Sequence, residues 1–167
     1  TWEIEKIFKT MDKIFLFNIC GGEPFLRDDL AEICRLAVKY LKPNVIHIPT
    51  NCLAPERIER ITKQILKNIG NTSLTIKMSL DGIGKDHDKI RGVKGNFDRV
   101  LETYQILKKI RETSKNLYVD AGATVSKNNI NKLKQIEDYI GKNMELDNFL
   151  HELADTRAEL FNVDITQ

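Results

Sequence analysis

Ile14-Phe15-Leu16-Phe17-Asn18-Ile19-Cys20-Gly21-Gly22-Glu23-Pro24 is an apolar run that breaks directly into a glycine-rich acidic turn. The pattern recurs twice downstream. Asn44-Val45-Ile46-His47-Ile48-Pro49 ends in Thr50-Asn51, and Leu74-Thr75-Ile76-Lys77-Met78 ends in Ser79-Leu80-Asp81-Gly82. Short, near-continuous apolar runs are the signature of parallel strands whose faces are covered. Polar and acidic residues gathered at successive strand ends build one site, where parallel α/β sheets and β/α barrels carry theirs.

The segments between the runs have helical periodicity. From Asp29 to Leu41, the residues Leu30, Ile33, Cys34, Ala37, Val38 and Leu41 share one stripe, and Pro43 stops the helix. Pro55 opens a helix with Ile58, Ile61, Ile65, Leu66 and Ile69 inward, and Gly70-Asn71 closes it. Phe97 to Ile110 and Ile130 to Ile140 repeat the pattern, while Leu117 and Leu146 begin two further apolar runs. The period of roughly thirty residues is that of a strand–helix unit. It is stretched after the third strand by Gly82 to Asn96, which reads as a loop.

This alternation predicts an α/β fold with a parallel sheet and right-handed crossovers. A complete eight-unit barrel takes roughly 250 residues, so the expectation is a partial (β/α) barrel with about five strands. Glu3 to Met11 reads as a helix standing before any strand, and the 14–19 run is apolar on both faces, as in a central strand. The chain thus reads as a barrel lacking its first strand and the loop after it. Residues 1–155 are expected to form this core, and 156–167 a tail or the start of a following region.

The 167 residues are 41% hydrophobic and 30% charged, a globular composition with enough apolar material for one core. The net charge of +2, from 26 basic and 24 acidic residues, supports neither a nucleic-acid nor a membrane-surface role. No stretch approaches the length of a membrane span, and Trp2-Glu3-Ile4-Glu5-Lys6 is too charged for a secretory signal. Three widely spaced cysteines make no disulfide framework and point to a reducing, cytoplasmic setting. Asn71-Thr72-Ser73 has the form of a glycosylation sequon, which in that setting is only a loop.

Gly21 and Gly22 permit an unusual backbone path and close ligand approach, and Glu23 offers an acceptor for an ammonium group. The plain alternative is a glycine turn with a solvated glutamate. Ser79 and Asp81 could bind sugar hydroxyls, and Arg91 could clamp a carboxylate. Here the plain alternative is a charged loop. Cys20 and Cys52 both follow strands and could line one mouth, whereas Cys34 lies on an apolar stripe. His47 and His151 read as structural strand residues, and His87 as a loop residue without an evident partner. No serine, cysteine or histidine forms a recognisable nucleophile–base pair.

The ordered set Gly-Gly-Glu-Pro-Phe-Leu-Arg at 21–27, Thr-Asn at 50–51, Ser-Leu-Asp-Gly at 79–82 and His-Asp-Lys-Ile-Arg-Gly-Val-Lys-Gly-Asn-Phe-Asp at 87–98 resembles the radical S-adenosylmethionine superfamily. The likeness covers about residues 1 to 155 and is nearest to the branch with a C-terminal auxiliary-cluster (SPASM-type) domain. It implies a partial (β/α)6 barrel, a [4Fe–4S] cluster, and reductive cleavage of S-adenosylmethionine to a 5′-deoxyadenosyl radical that abstracts a substrate hydrogen. The substrate would be of the peptide or cofactor-precursor kind.

Carried over by position, the resemblance gives Gly21, Gly22 and Glu23 the methionyl amino group. Thr50 and Ser79 would face the carboxylate and ribose, with Asp81 nearby and Arg91 a weaker candidate. Val125 and Asn128 would border the adenine, and Phe149 to Glu159, with Glu152 and Arg157, resembles the sixth strand and its exit. The family's Cys-x3-Cys-x2-Cys loop has no counterpart here, since Cys20, Cys34 and Cys52 lie fourteen and eighteen residues apart.

The expectation is therefore a core portion that cannot assemble a cluster or turn over alone. It could dimerise through an open sheet edge beside Ile14 to Ile19. The rivals are a metal-free barrel lyase or isomerase using Glu23 as base, and a non-catalytic doubly wound binding module or degenerate relative.

Overall fold

A computed structural model of the chain describes residues 1–154. In chain order the elements are α1 (Trp2–Thr10), β1 (Leu16–Asn18), α2 (Leu30–Tyr40), β2 (Val45–Thr50), α3 (Pro55–Asn68), β3 (Ser73–Ser79), α4 (Lys85–Arg91), α5 (Asn96–Arg111), β4 (Leu117–Val125), α6 (Leu133–Asn143) and β5 (Asn148–Leu153). Short 3-10 turns at Pro24–Leu26 and Ile130–Lys132 follow the exits of β1 and β4.

The five strands form one all-parallel sheet in the order β1-β2-β3-β4-β5, curled into a half-barrel. The order follows the sequence without reversal, so the sheet is wound in one direction. A doubly wound sheet would reverse at a switch point. The strand period of two then divides the chemistry between the faces. Ile46 and Ile48 of β2, Leu74, Ile76 and Met78 of β3, and Val119 and Ala121 of β4 are buried in one core with Ile58, Ile61 and Ile65 of α3 and Val100, Tyr104 and Leu107 of α5. The residues between them occupy the concave face: His47 and Pro49, Thr75, Lys77 and Ser79, then Asp120 and Gly122. Parallel register aligns Asn18, His47 and Thr75 in one row, and Lys77, Asp120 and Asn148 in the next.

The first strand, expected over 14–19, is shortened to Leu16–Asn18; its apolar residues read as those of a central strand, and in the described sheet it forms the open edge expected of a barrel without its preceding strand. Phe15 is 72% and Leu16 50% exposed. The cause of the shortening is on β2. The His47 carbonyl accepts from the Ile19 amide at 2.9 Å, so Pro49, two residues on, faces β1 as well and has no N–H to give it. Pairing ends there and the chain peels away into Cys20-Gly21-Gly22.

The Gly82 to Asn96 segment, expected to be a loop, contains α4. α4 seats its first turn directly on the exit of β3. Asp88, on α4, then accepts from the amides of Gly95 (2.6 Å) and Phe97 (2.9 Å) and so caps the start of α5. The 156–167 tail, with Arg157 and Glu159, lies outside the described residues.

The close seating of α4 predicts a position-specific alanine effect. A Cβ at Gly82 would stand 2.8 Å from the His87 amide nitrogen and 3.1 Å from the Asp86 carbonyl carbon, both backbone atoms. Gly82→Ala is therefore expected to lower stability by about 1–3 kcal/mol in urea unfolding. Gly141→Ala, in α6 with nothing within 4 Å, should raise it by up to about 1 kcal/mol.

Candidate functional site

The exits of β1 to β4 carry most of the sequence-predicted residues, and buried and part-buried hydrogen bonds join these exits into one belt. Gly21 (φ +95°) and Gly22 (φ +31°) turn the chain away from β1. An added Cβ would meet nothing within 4 Å at either residue, so the backbone path and not crowding calls for glycine. The turn delivers the Glu23 carboxylate to donors from two loops. Oε1 accepts from Thr50 Oγ1 at 3.0 Å and from the Phe25 amide at 3.2 Å, and Oε2 accepts from the Asn51 amide at 2.7 Å. Arg57 of α3 fixes the far side of the turn, donating to the carbonyls of Phe25 and Leu26 and to Asp28.

The loop that presents the Asn51 amide is itself constrained. Cys52 has φ +62°, a left-handed conformation that costs a non-glycine residue about 1–2 kcal/mol. It is held by bonds from the Cys52 amide to Thr50 Oγ1 (3.2 Å) and from the Leu53 amide to Asn51 Oδ1 (2.9 Å). The Asn51 carbonyl accepts from Asn96 Nδ2 at 3.0 Å. Asn96 Oδ1 in turn contacts His87 Nε2 at 3.2 Å, and His87 Nδ1 accepts the Asp81 amide at 3.2 Å. An N–H donating into Nδ1 places the ring proton on Nε2, so His87 must be neutral. Burial holds its pKa below the ordinary imidazole value, against the opposing pull of Asp81.

Asp81 extends the belt to β4. Its carboxylate, 3% exposed, accepts from Arg91 Nη1 at 3.1 Å and from the Thr124 amide at 2.7 Å. Asn129 Nδ2 donates to the carbonyls of Asp81 and Thr124, both at 3.0 Å, while its Oδ1 accepts from the Ser126 amide at 2.8 Å. Four strand exits are thereby tied together by side-chain hydrogen bonds.

The predicted residues thus divide by what they touch. Gly21, Gly22 and Glu23 form an accessible turn. Ser79 is half-buried on the concave face, in a cavity of about 360 Å³ that also receives Cys20, Lys77 and Glu152. Thr50 is buried with its hydroxyl committed to Glu23, and Asp81 with its carboxylate committed to Arg91 and Thr124. Val125 is buried at the end of β4 and Asn128 is exposed in the turn beyond it. Arg91 clamps a carboxylate, but it is Asp81's.

Two readings of single residues are corrected. His87 is a fully buried helix residue with partners on both ring nitrogens, because α4 forms where a loop was expected. Cys20 and Cys52 do not share a mouth. Cys20 is exposed on the concave side, whereas the left-handed turn carries Cys52 into the core, where it is fully buried. Asn51, Asn96, Asn129 and Arg57 went unassigned in the sequence. Asn51 and Asn96 had a signal there, their places in the 50–51 and 87–98 motifs.

Among the described residues no group of three His, Cys, Asp or Glu could hold a metal ion. The cysteines do not fit an iron–sulfur cluster either. Burial pushes the thiols of Cys34 and Cys52 up to about 12, the reverse of what thiolate ligation needs, and leaves Cys20 alone in the open. The Glu23 turn, by contrast, is suited to an ammonium-bearing ligand. Among known proteins, the Radical SAM superfamily profile matches residues 3–127.

The chain belongs to the radical SAM superfamily.

Two relatives from Methanosarcina barkeri (strain Fusaro / DSM 804) show the scale of the likeness. An AdoMet-dependent heme synthase is 30% identical over 116 residues, 69% of this chain and 30% of that protein. An Fe-coproporphyrin III synthase is 34% identical over 88 residues, 53% of this chain and 20% of that protein. The chain spans under a third of the length of each. No helix among the described residues is long and apolar enough to cross a membrane.

The neutral-His87 requirement gives the radical SAM core an acid-sensitive belt. As pH falls below the ordinary imidazole value of about 6.5, the unfolded chain takes up the proton first, so stability drops until the folded state, with its lowered His87 pKa, also titrates. Urea unfolding should show lower stability at about pH 5.5 than at about pH 7.5, with a shallower dependence in His87→Gln. His47, lowered by burial and by Lys77, supplies a remaining part of the same sign.

Proposed function

We propose that the strand-exit belt binds S-adenosylmethionine and that the protein uses it as radical SAM enzymes do, by reductive cleavage to a 5′-deoxyadenosyl radical that abstracts a substrate hydrogen. The observation that carries this reading is the state of Glu23. A carboxylate has about four lone-pair sites. Three are taken by Thr50, Phe25 and Asn51, which fix its orientation and leave Oε2 room for one more donor. That is a preorganised acceptor for the methionyl ammonium, flanked by the two glycines. Ser79 on the concave face is the candidate for the ribose or carboxylate, and Val125 and Asn128 are candidates for the adenine border. Thr50 and Asp81 act as positioning residues, one through Glu23 and the other through the belt.

S-adenosylmethionine, when bound, supplies the radical precursor. The residues of this chain supply its orientation, and none of them is assigned to a cluster or to electron delivery. The free thiols suit a reducing compartment. The names of the two relatives support a cofactor precursor of the tetrapyrrole class as substrate.

Calorimetric titration with S-adenosylmethionine tests the assignment. Glu23→Gln should weaken binding roughly tenfold or more through loss of a charge-assisted bond. Thr50→Val, which only frees Glu23 to reorient, should weaken it about threefold. Unchanged affinity in Glu23→Gln would remove Glu23 from the site.

A further inference from the structure

The concave face holds one ion pair that the belt does not use. Lys77, at the centre of β3, donates from Nζ to Glu152 Oε1 on β5 at 2.7 Å, reaching across β4. Its path depends on Gly122. A Cβ there would stand 3.1 Å from Lys77 Cδ and 3.3 Å from Cε, so the bare glycine is the lane in which the lysine stem lies. The two ends of the pair differ. The Lys77 side chain is 18% exposed, whereas that of Glu152 is 66% exposed. The cation is built into the floor, and the carboxylate reaches it from the rim.

Among the described residues Glu152 is the one partner of the ammonium. Asp120, next to Lys77 in register, instead accepts from Asn148 Nδ2 at 3.1 Å, and burial raises its pKa. His47 bonds Asn18 at 2.7 Å and carries a lowered pKa. The ladder β3–β4–β5 is already complete, so the pair is not required to set the sheet's register. An exposed ion pair of this kind adds little stability, yet a half-buried ammonium does require an anion.

We propose that Lys77 is a seat for a ligand carboxylate, that Gly122 keeps the seat open, and that Glu152 occupies it until the ligand displaces it. The ligand is a small molecule bearing a carboxylate and lying in the 360 Å³ cavity between Ser79 and Glu152. The carboxylate is that of S-adenosylmethionine or that of the second reactant. This inference rests on the reading that the concave face receives those molecules.

The test exploits opposite signs, in the full-length protein. Ligands are S-adenosylmethionine, its decarboxylated analogue, iron-coproporphyrin III and the tetramethyl ester of the latter, titrated by calorimetry or absorbance. For the carboxylate that uses the seat, Lys77→Met should weaken binding roughly tenfold or more, and Gly122→Ala should weaken it in part. Glu152→Gln should tighten it, because the internal competitor is gone.

A loss confined to S-adenosylmethionine, with the decarboxylated analogue indifferent to residue 77, assigns the seat to the methionyl carboxylate. A loss confined to iron-coproporphyrin III, with its ester indifferent, assigns it to the second reactant. Glu152→Gln weakening binding alongside Lys77→Met would make the pair a structural bridge and overturn the proposal, as would affinities unmoved by Lys77→Met and Gly122→Ala. Glu23→Gln is the separate control. If Glu23→Gln alone weakens S-adenosylmethionine binding, the belt reading stands and the seat fails.

Discussion

The backbone of Asn51 is the joint on which the site turns. Its N–H fixes the Glu23 carboxylate and its carbonyl is fixed by Asn96, whose other amide atom meets His87. A polar loop at a strand exit can either face water or find buried partners. This chain takes the second course at β2, β3 and β4. Bonds within each exit and between neighbouring exits link up, and the result runs without a break from Glu23 to Asp81. Asp81 and Asn129 then continue it to β4. Such a network holds geometry more than it adds stability, because a typical bond in it contributes only about 1 kcal/mol net. Losing one partner costs more than that, since the other is left buried and unpaired.

The strand-and-helix framework was legible because periodicity is local. The stripe Ile58, Ile61 and Ile65 faces the core as its spacing requires, and Pro55 starts that helix at its first position. Ile46, Ile48, Leu74 and Ile76 read as buried runs and are buried. The errors come from effects the pattern does not encode. Pro49 looks like one residue of an apolar run, yet its missing N–H shortens the neighbouring strand. The segment 84–91 has too few apolar residues to show a stripe. It is a helix because His87 is drawn into the belt and because Gly82 allows backbone to lie on backbone.

The site was legible in its parts and not in its division of labour. Gly21, Gly22, Glu23, Thr50, Ser79 and Asp81 all fall at strand exits, as their places after apolar runs require. What the sequence does not carry is which of them is free. Thr50 and Asp81 have the same chemistry whether they face a ligand or a neighbour, and tertiary contacts give Thr50 to Glu23 and Asp81 to Arg91. The same holds for Cys20 and Cys52. Their sequence positions are equivalent, and a left-handed φ at Cys52 separates them into solvent and core.

Preorganisation explains why so much of the belt lies beneath the accessible turn. A carboxylate on a flexible loop must lose side-chain freedom when it binds an ammonium, at about 0.5–1.5 kcal/mol for such a side chain. Glu23 has lost that freedom already, in folding, to Thr50, Phe25 and Asn51. Cys52, the next residue but one after Thr50, adds strain to the same loop, with its left-handed φ held by the Cys52 and Leu53 amide bonds. On the proposed function the arrangement also sets a direction for change: substitutions beneath Glu23 would loosen its carboxylate without lining the concave-face cavity, whereas Ser79 and Lys77 line that cavity directly.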